Sequence, residues 1–161
     1  MTPRSLLRAG LLAALIPLAA CGGKSHRGMA LRHPGGGGAA MAAADPQTLA
    51  LIDRYARAYD VPITLVHRIV QRESGYRPGA RNGPYYGLMQ ILPATARTMG
   101  YRGAPEGLLD AETNLKYGVK YLRGAWLVSG GDESRAVMWY AKGYYYEAKR
   151  KGLLDATGLR G

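Results

Sequence analysis

Glu73 closes an apolar helical stretch carrying Leu65, Val66, Ile69 and Val70, and a loop rich in Gly, Pro and Tyr follows it. Residues 73–90 read E-S-G-Y-R-P-G-A-R-N-G-P-Y-Y-G-L-M-Q. A carboxyl group placed there has physical reasons to hold its proton near neutral pH. Apolar neighbours desolvate the charged form, and the negative end of a helix disfavours it further. Such a group can donate a proton as a general acid and, once ionised, accept one as a general base. The competing reading is a solvated surface glutamate, the common fate of a carboxylate.

Other chemistries lack their parts. His67 and Glu73 are six residues apart, which is not the spacing of a helical zinc motif, and His26 and His33 lie in a Gly/Ala-rich segment, so no metal site or other cofactor is expected. Cys21 is the only cysteine and lies near the N-terminus, and a serine triad would have only His67 to draw on. Gly35–Gly38 lacks the lysine and flanking strand of a phosphate loop. Asp132-Glu133 and Asp110-x-Glu112 read most simply as helix-start charges.

Helices must position Glu73. Asp45-Pro46 starts one, with Leu49, Ile52, Tyr55, Ala56 and Tyr59 at helical spacing. Asp60-Val61-Pro62 starts a second, which runs to Glu73 and ends at Gly75 and Pro78; Pro93 opens a short third that stops near Gly100. Asp110 caps a longer helix marked by Leu115, Val119, Leu122, Trp126 and Leu127 and broken at Gly130-Gly131. Asp132 caps the next, and a last piece covers Tyr144 to Lys151. No sustained alternation of apolar and polar residues predicts a sheet, so the fold class is all-α with a small irregular hairpin around residues 79–90.

Upstream, Arg4 and Arg8 precede an apolar run from Ala9 to Ala20 that is too short to span a bilayer comfortably, the pattern of an export signal over residues 1–20. Leu18-Ala19-Ala20-Cys21 resembles the bacterial lipobox, which would make Cys21 a lipidation site. A plain signal peptide with an incidental cysteine is the alternative. Residues 21–44 are rich in Gly and Ala and are expected to be a flexible tether, leaving one folded domain over 45–161. The chain carries 22 Lys and Arg against 11 Asp and Glu; from residue 45 onward the balance is 17 against 11, so the domain itself is basic. An export signal argues against nucleic acid as the partner and points instead to cell-wall polymer and membrane surface.

Four stretches in order carry a resemblance: Glu73-Ser74; Gly87-Leu88-Met89-Gln90-Ile91 with Pro93-x-Thr95-Ala96; Asp110-x-x-x-Asn114-Leu115-x-x-Gly118-x-x-Tyr121-Leu122; and Ala136-x-x-x-Tyr140. Together they resemble lytic transglycosylases of the soluble lytic transglycosylase type, which have a lysozyme-like α-helical fold with a substrate cleft. The resemblance implies cleavage of peptidoglycan between N-acetylmuramic acid and N-acetylglucosamine with formation of 1,6-anhydromuramic ends. Glu73 would serve as acid and then base, and Ser74, Tyr86, Met89, Gln90 and Tyr140 would contact the sugar or the acid. Tyr85, Tyr86 and Tyr101 are candidates for a stacking platform.

Two departures bear on substrate preference and turnover. Ala141-Lys142-Gly143 follows Tyr140 where the family usually has Asn-Ala-Gly, and the stretch from Glu73 to Gly87 is about one residue shorter than the common pattern. A lysozyme-type hydrolase and a non-catalytic wall-binding protein are the alternatives. The expected setting is periplasmic, anchored to the outer membrane as a lipoprotein, the protein acting as a monomer.

Overall fold

A computed structural model describes residues 37–160. Residues 1–20, expected to be an export signal, and Cys21 lie outside the described residues. The body is helical: α1 (Gly37–Ala42), α2 (Pro46–Ala58), α3 (Ile63–Ser74), α4 (Pro93–Thr98), α5 (Ala111–Ser129), α6 (Glu133–Lys142) and α7 (Tyr145–Arg150). Two two-residue strands, β1 (Arg81–Asn82) and β2 (Tyr85–Tyr86), form the hairpin between α3 and α4, with Arg81 opposite Tyr86 and Asn82 opposite Tyr85.

Local chemistry accounts for most helix ends. Asp45, Asp110 and Asp132 each accept a hydrogen bond from the backbone N–H three residues on, at 3.0, 2.8 and 2.8 Å. At the far end of α3, Gly75 adopts φ +59 and its N–H returns to the carbonyls of Val70 and Gln71, which turns the chain immediately after Glu73. α3 starts at Ile63, directly after Asp60-Val61-Pro62 as expected. Pro62 precedes the helix with no side-chain cap, and Asp60, at φ +51, points outward to an Arg123 guanidinium 3.7 Å away.

Two differences from expectation concern extent. α1 lies inside the stretch expected to be tether, and Ala40 and Ala44 pack against the core, so ordered structure begins before Asp45. Alanine is the best helix former, and its small side chain allows close approach to α3. A 3-10 turn over Pro105–Leu109 buries Leu108; it is too short for periodicity to reveal.

The long helix α5 is the axis, packing against α6, α2, α4, α7 and the 3-10 turn. The main core joins Ile52, Leu65, Val66, Ile69 and Val70 from α2 and α3 to Leu115, Val119 and Leu122 from α5. A smaller cluster of Tyr86, Ile91, Ala96, Tyr101 and Leu108 fills the space beneath the hairpin. Gly118 in α5 is where the hairpin side meets the axis, since a Cβ there would collide with the Met89 side chain. Glu73 therefore stands at a junction, at the end of a helix anchored in the main core and at the start of a hairpin seated on the second one.

Candidate active site

Glu73 occupies the last turn of α3, its side chain 25% exposed. Burial raises its pKa above the ordinary carboxylate value, and the Arg72 guanidinium, with Nε 3.6 Å from Oε1, pulls in the opposite direction more weakly. The net direction is upward, as the apolar face of α3 and the helix end predict. Among the described residues no carboxylate is hydrogen-bonded to Glu73, whose ion-pair partner is Arg72. The remaining acidic side chains are engaged elsewhere, in the three helix caps and in pairs such as Asp53 with Arg57, Glu112 with Arg54 and Glu147 with Arg150. Glu133 accepts from the Thr64 hydroxyl at 2.7 Å, and Glu106 lies exposed on the 3-10 turn.

Behind Glu73, Tyr140 is buried in α6, with its ring edge-on to Tyr121 at 5.4 Å. Its hydroxyl donates to the Met89 carbonyl at 2.8 Å, which differs from the expectation that it points at the acid or the sugar. The two groups still sense each other: burial first, and then the Glu73 carboxylate, push the Tyr140 pKa well above its usual value. Tyr140 thus ties the loop at Met89 to the helix that backs the acid.

The other residues expected to touch substrate are placed as follows. Ser74 is buried and its hydroxyl donates back to the Val70 carbonyl at 3.1 Å, closing the last turn of α3. Met89 is fully buried against Gly118, a core role for its side chain. Gln90 stands at φ +46, a left-handed conformation unfavourable for a residue with Cβ. Its amide donates to the carbonyls of Gly87 at 2.9 Å and Ala80 at 3.1 Å, which hold that conformation and close the hairpin base. Tyr86 is buried in the second cluster with its ring under the Arg81 guanidinium, 4.6 Å from the centroid. Of the stacking candidates, Tyr101 is also buried, its hydroxyl donating to the Ala104 carbonyl, and Tyr85 is the exposed one at 42%.

Asn114 was quoted above only as part of a motif, yet it organises the loop. Fully buried in the first turns of α5, its Oδ1 accepts from the Met89 N–H at 2.9 Å, while Nδ2 donates to the carbonyls of Tyr86 at 2.8 Å and Leu108 at 2.7 Å. One amide therefore joins the hairpin, the loop 87–91 and the 3-10 turn. Gly87, at φ +71, passes so close that a Cβ there would collide with the Asn114 side chain and the Leu108 carbonyl. The signal available in the sequence was the spacing from Asp110, whose carboxylate caps the same helix.

On the other side, Tyr76 follows Gly75 at φ +62 and is buried, its hydroxyl oxygen 3.0 Å from His67 Nδ1. Burial lowers the pKa of His67, favouring the neutral ring that this contact uses. A shallow depression lined by Asp53, Arg57, Pro62 and Trp126 lies at the opposite end of α3, about 15 Å from Glu73 by helix rise. Among the described residues no group of three or more His, Cys, Asp or Glu could hold a metal ion, and no helix is long and apolar enough to cross a membrane.

The family model described as Transglycosylase SLT domain matches residues 50–153, from within α2 through α7. The chain belongs to this family. As an SLT domain it has the all-α, lysozyme-like fold expected from its motifs. Over 45% of its length it is 36% identical to the soluble lytic murein transglycosylase of Salmonella typhimurium and 35% identical to that of Escherichia coli K12. The match spans 12% of each of those proteins, so this SLT domain corresponds to a small part of the relatives it resembles.

Proposed function

We propose that this chain is a peptidoglycan lytic transglycosylase that cleaves the β-1,4 bond between N-acetylmuramic acid and N-acetylglucosamine, with Glu73 as its single catalytic carboxyl group. The observation that carries the reading is the state of Glu73 in an SLT domain: half-buried at a helix end, proton affinity raised by burial, with other described carboxylates committed to helix caps and ion pairs. Glycosidases that use water or an enzyme nucleophile ordinarily place two carboxyl groups about 5–9.5 Å apart. A lone acid favours a nucleophile supplied by the substrate.

The protonated Glu73 donates its proton to the glycosidic oxygen, and the bond from that oxygen to the anomeric carbon of the muramic residue breaks. The 6-hydroxyl of the same residue attacks that carbon, and the Glu73 carboxylate takes the hydroxyl proton. Glu73 returns to its starting state and the product ends in a 1,6-anhydro ring. The attack is intramolecular, which confers a high effective molarity without a bound water. Ala141 replaces the amide side chain usual after the motif tyrosine, and the buried hydrogen bond of Tyr140 to Met89 supports this part of the site from within.

The reading extends to location: export by residues 1–20, lipidation at Cys21 and tethering to the outer membrane as a periplasmic monomer. The test is digestion of purified peptidoglycan with the protein and with Glu73→Gln, products being read by mass spectrometry. Fragments ending in 1,6-anhydromuramic acid, absent with the variant, are expected. Reducing-end fragments would refute the transglycosylase in favour of a hydrolase, and equal activity of the variant would refute Glu73.

A further inference from the structure

The stretch of sequence that carries Glu73 is strongly basic, and Arg72 and Arg77 lie directly beside the acid, Arg72 paired with Glu73 and Arg77 bonded to the Ser74 carbonyl. Between residues 61 and 105 lie Arg68, Arg72, Arg77, Arg81, Arg97 and Arg102, with Glu73 as the only acidic residue. All eleven acidic residues of the chain lie at or beyond Asp45, so no undescribed Asp or Glu can neutralise the group. Arg72 faces Glu73; Arg77 and Arg81, both exposed, have no acidic partner among the described residues.

Arg77 and Arg81 are nonetheless held in place. Arg77 Nε donates at 2.9 Å to the carbonyl of Ser74, the residue next to the acid, which leaves its terminal nitrogens free. Arg81 lies over the face of the buried Tyr86 ring, which leaves its edge N–H donors free. A stacked or singly anchored guanidinium keeps a planar fork of donors suited to a carboxylate, and holding it beforehand reduces the ordering cost of binding. We propose that Arg77 and Arg81 form a cationic rim that grips carboxylates of the peptide stems on the glycan strand, so that the site takes peptide-bearing strands. This rests on the glycan-cleaving reading above and adds the part of the substrate that the sugar chemistry does not specify.

The experiment uses Glu73→Gln, so that strands bind without being cut. Fluorescently labelled soluble glycan strands carrying their peptide stems are compared, by anisotropy at low and moderate salt, with the same strands after conversion of the stem carboxylates to amides. Amidation is expected to weaken binding about tenfold, as two surface guanidinium–carboxylate contacts would, with the difference shrinking as salt rises. Adding Arg77→Gln and Arg81→Gln is expected to bring the two dissociation constants together. Arg135→Gln, whose partner is Asp132 on α6, is expected to preserve the difference.

Equal binding of both strands by Glu73→Gln would overturn the rim and leave the glycan reading standing, whereas binding of neither would overturn both. Tighter, charge-dependent binding to phosphatidylglycerol vesicles, with no effect of amidation, would also overturn the proposal and assign the arginines to a membrane surface.

Discussion

Replacing Asn114 by alanine tests the idea that one buried amide holds the loop beside the acid. The substitution removes the acceptor of the Met89 N–H and the donors to the Tyr86 and Leu108 carbonyls. The Tyr86 carbonyl keeps the Ile91 N–H at 3.1 Å, so two backbone groups lose the partner they now have. A buried polar group left unsatisfied costs about 1–3 kcal/mol, giving a loss of roughly 2–6 kcal/mol. At about 4 °C per kcal/mol for a domain of this size, the melting temperature should fall by roughly 8–24 °C. Urea denaturation followed by circular dichroism reads the free energy directly. A second variant, Asn114→Asp, separates donor from acceptor: it keeps an acceptor for Met89 but turns a second oxygen toward two carbonyls, an arrangement tolerable only when the carboxyl is protonated. Its folded-state pKa must then lie above the unfolded value of about 3.9, so its stability is fully present below that value and is lost as pH rises through the folded pKa. A loss below about 1 kcal/mol for Asn114→Ala, or an Asn114→Asp variant no weaker at pH 7 than at pH 4, would refute the account.

The same reasoning yields three more outcomes. The raised pKa of Glu73 means that its ionised form is disfavoured in the folded protein, so Glu73→Gln should be more stable than the parent at pH 7, with the advantage disappearing below the ordinary carboxylate pKa; a melting series from pH 4 to 8 reads it, and a less stable variant at pH 7 would contradict the burial argument. Tyr140→Phe should cost about 1 kcal/mol by leaving the Met89 carbonyl without its donor, measured by urea titration, while the ring contact with Tyr121 survives. Gly87→Ala should cost about 3 kcal/mol or more, because φ +71 and the collision with the Leu108 carbonyl cannot both be relieved by side-chain movement; a soluble variant with near-parent melting would show that the loop is softer than its hydrogen bonds imply.

The helical frame was legible because its signals are local. Asp45, Asp110 and Asp132 act within three residues of themselves, Gly75 and Gly130 end helices through their own backbone angles, and the apolar face of α3 repeats at helical spacing. The sequence also marks where α3 starts, after Asp60-Val61-Pro62, though not the positive φ of Asp60 or its outward pairing with Arg123. The roles of the motif residues were harder to read for a different reason. The hydrogen bonds that define them join positions 25 residues apart for Met89 and Asn114, 28 for Asn114 and Tyr86, and 51 for Tyr140 and Met89. A motif marks a side chain as tightly constrained; whether a sugar or a distant carbonyl constrains it depends on packing that no short window contains.

That distinction changes where reactivity resides. Ser74, Gln90, Asn114 and Tyr140 all have polar groups close to Glu73 or to the loop beside it, and each is committed to a backbone partner of this chain. Groups bonded in this way have their donor hydrogens committed to the frame that positions them. Glu73 has no hydrogen-bond partner of that kind, only a loose pairing with Arg72 and the pressure of burial. On the proposed reading Glu73 is the group that exchanges a proton, and the bonded surround fixes where the exchange occurs. Such an arrangement suits a reaction whose nucleophile arrives as part of the substrate, and it predicts that changes to the surrounding polar residues will act through stability and geometry before they act through chemistry.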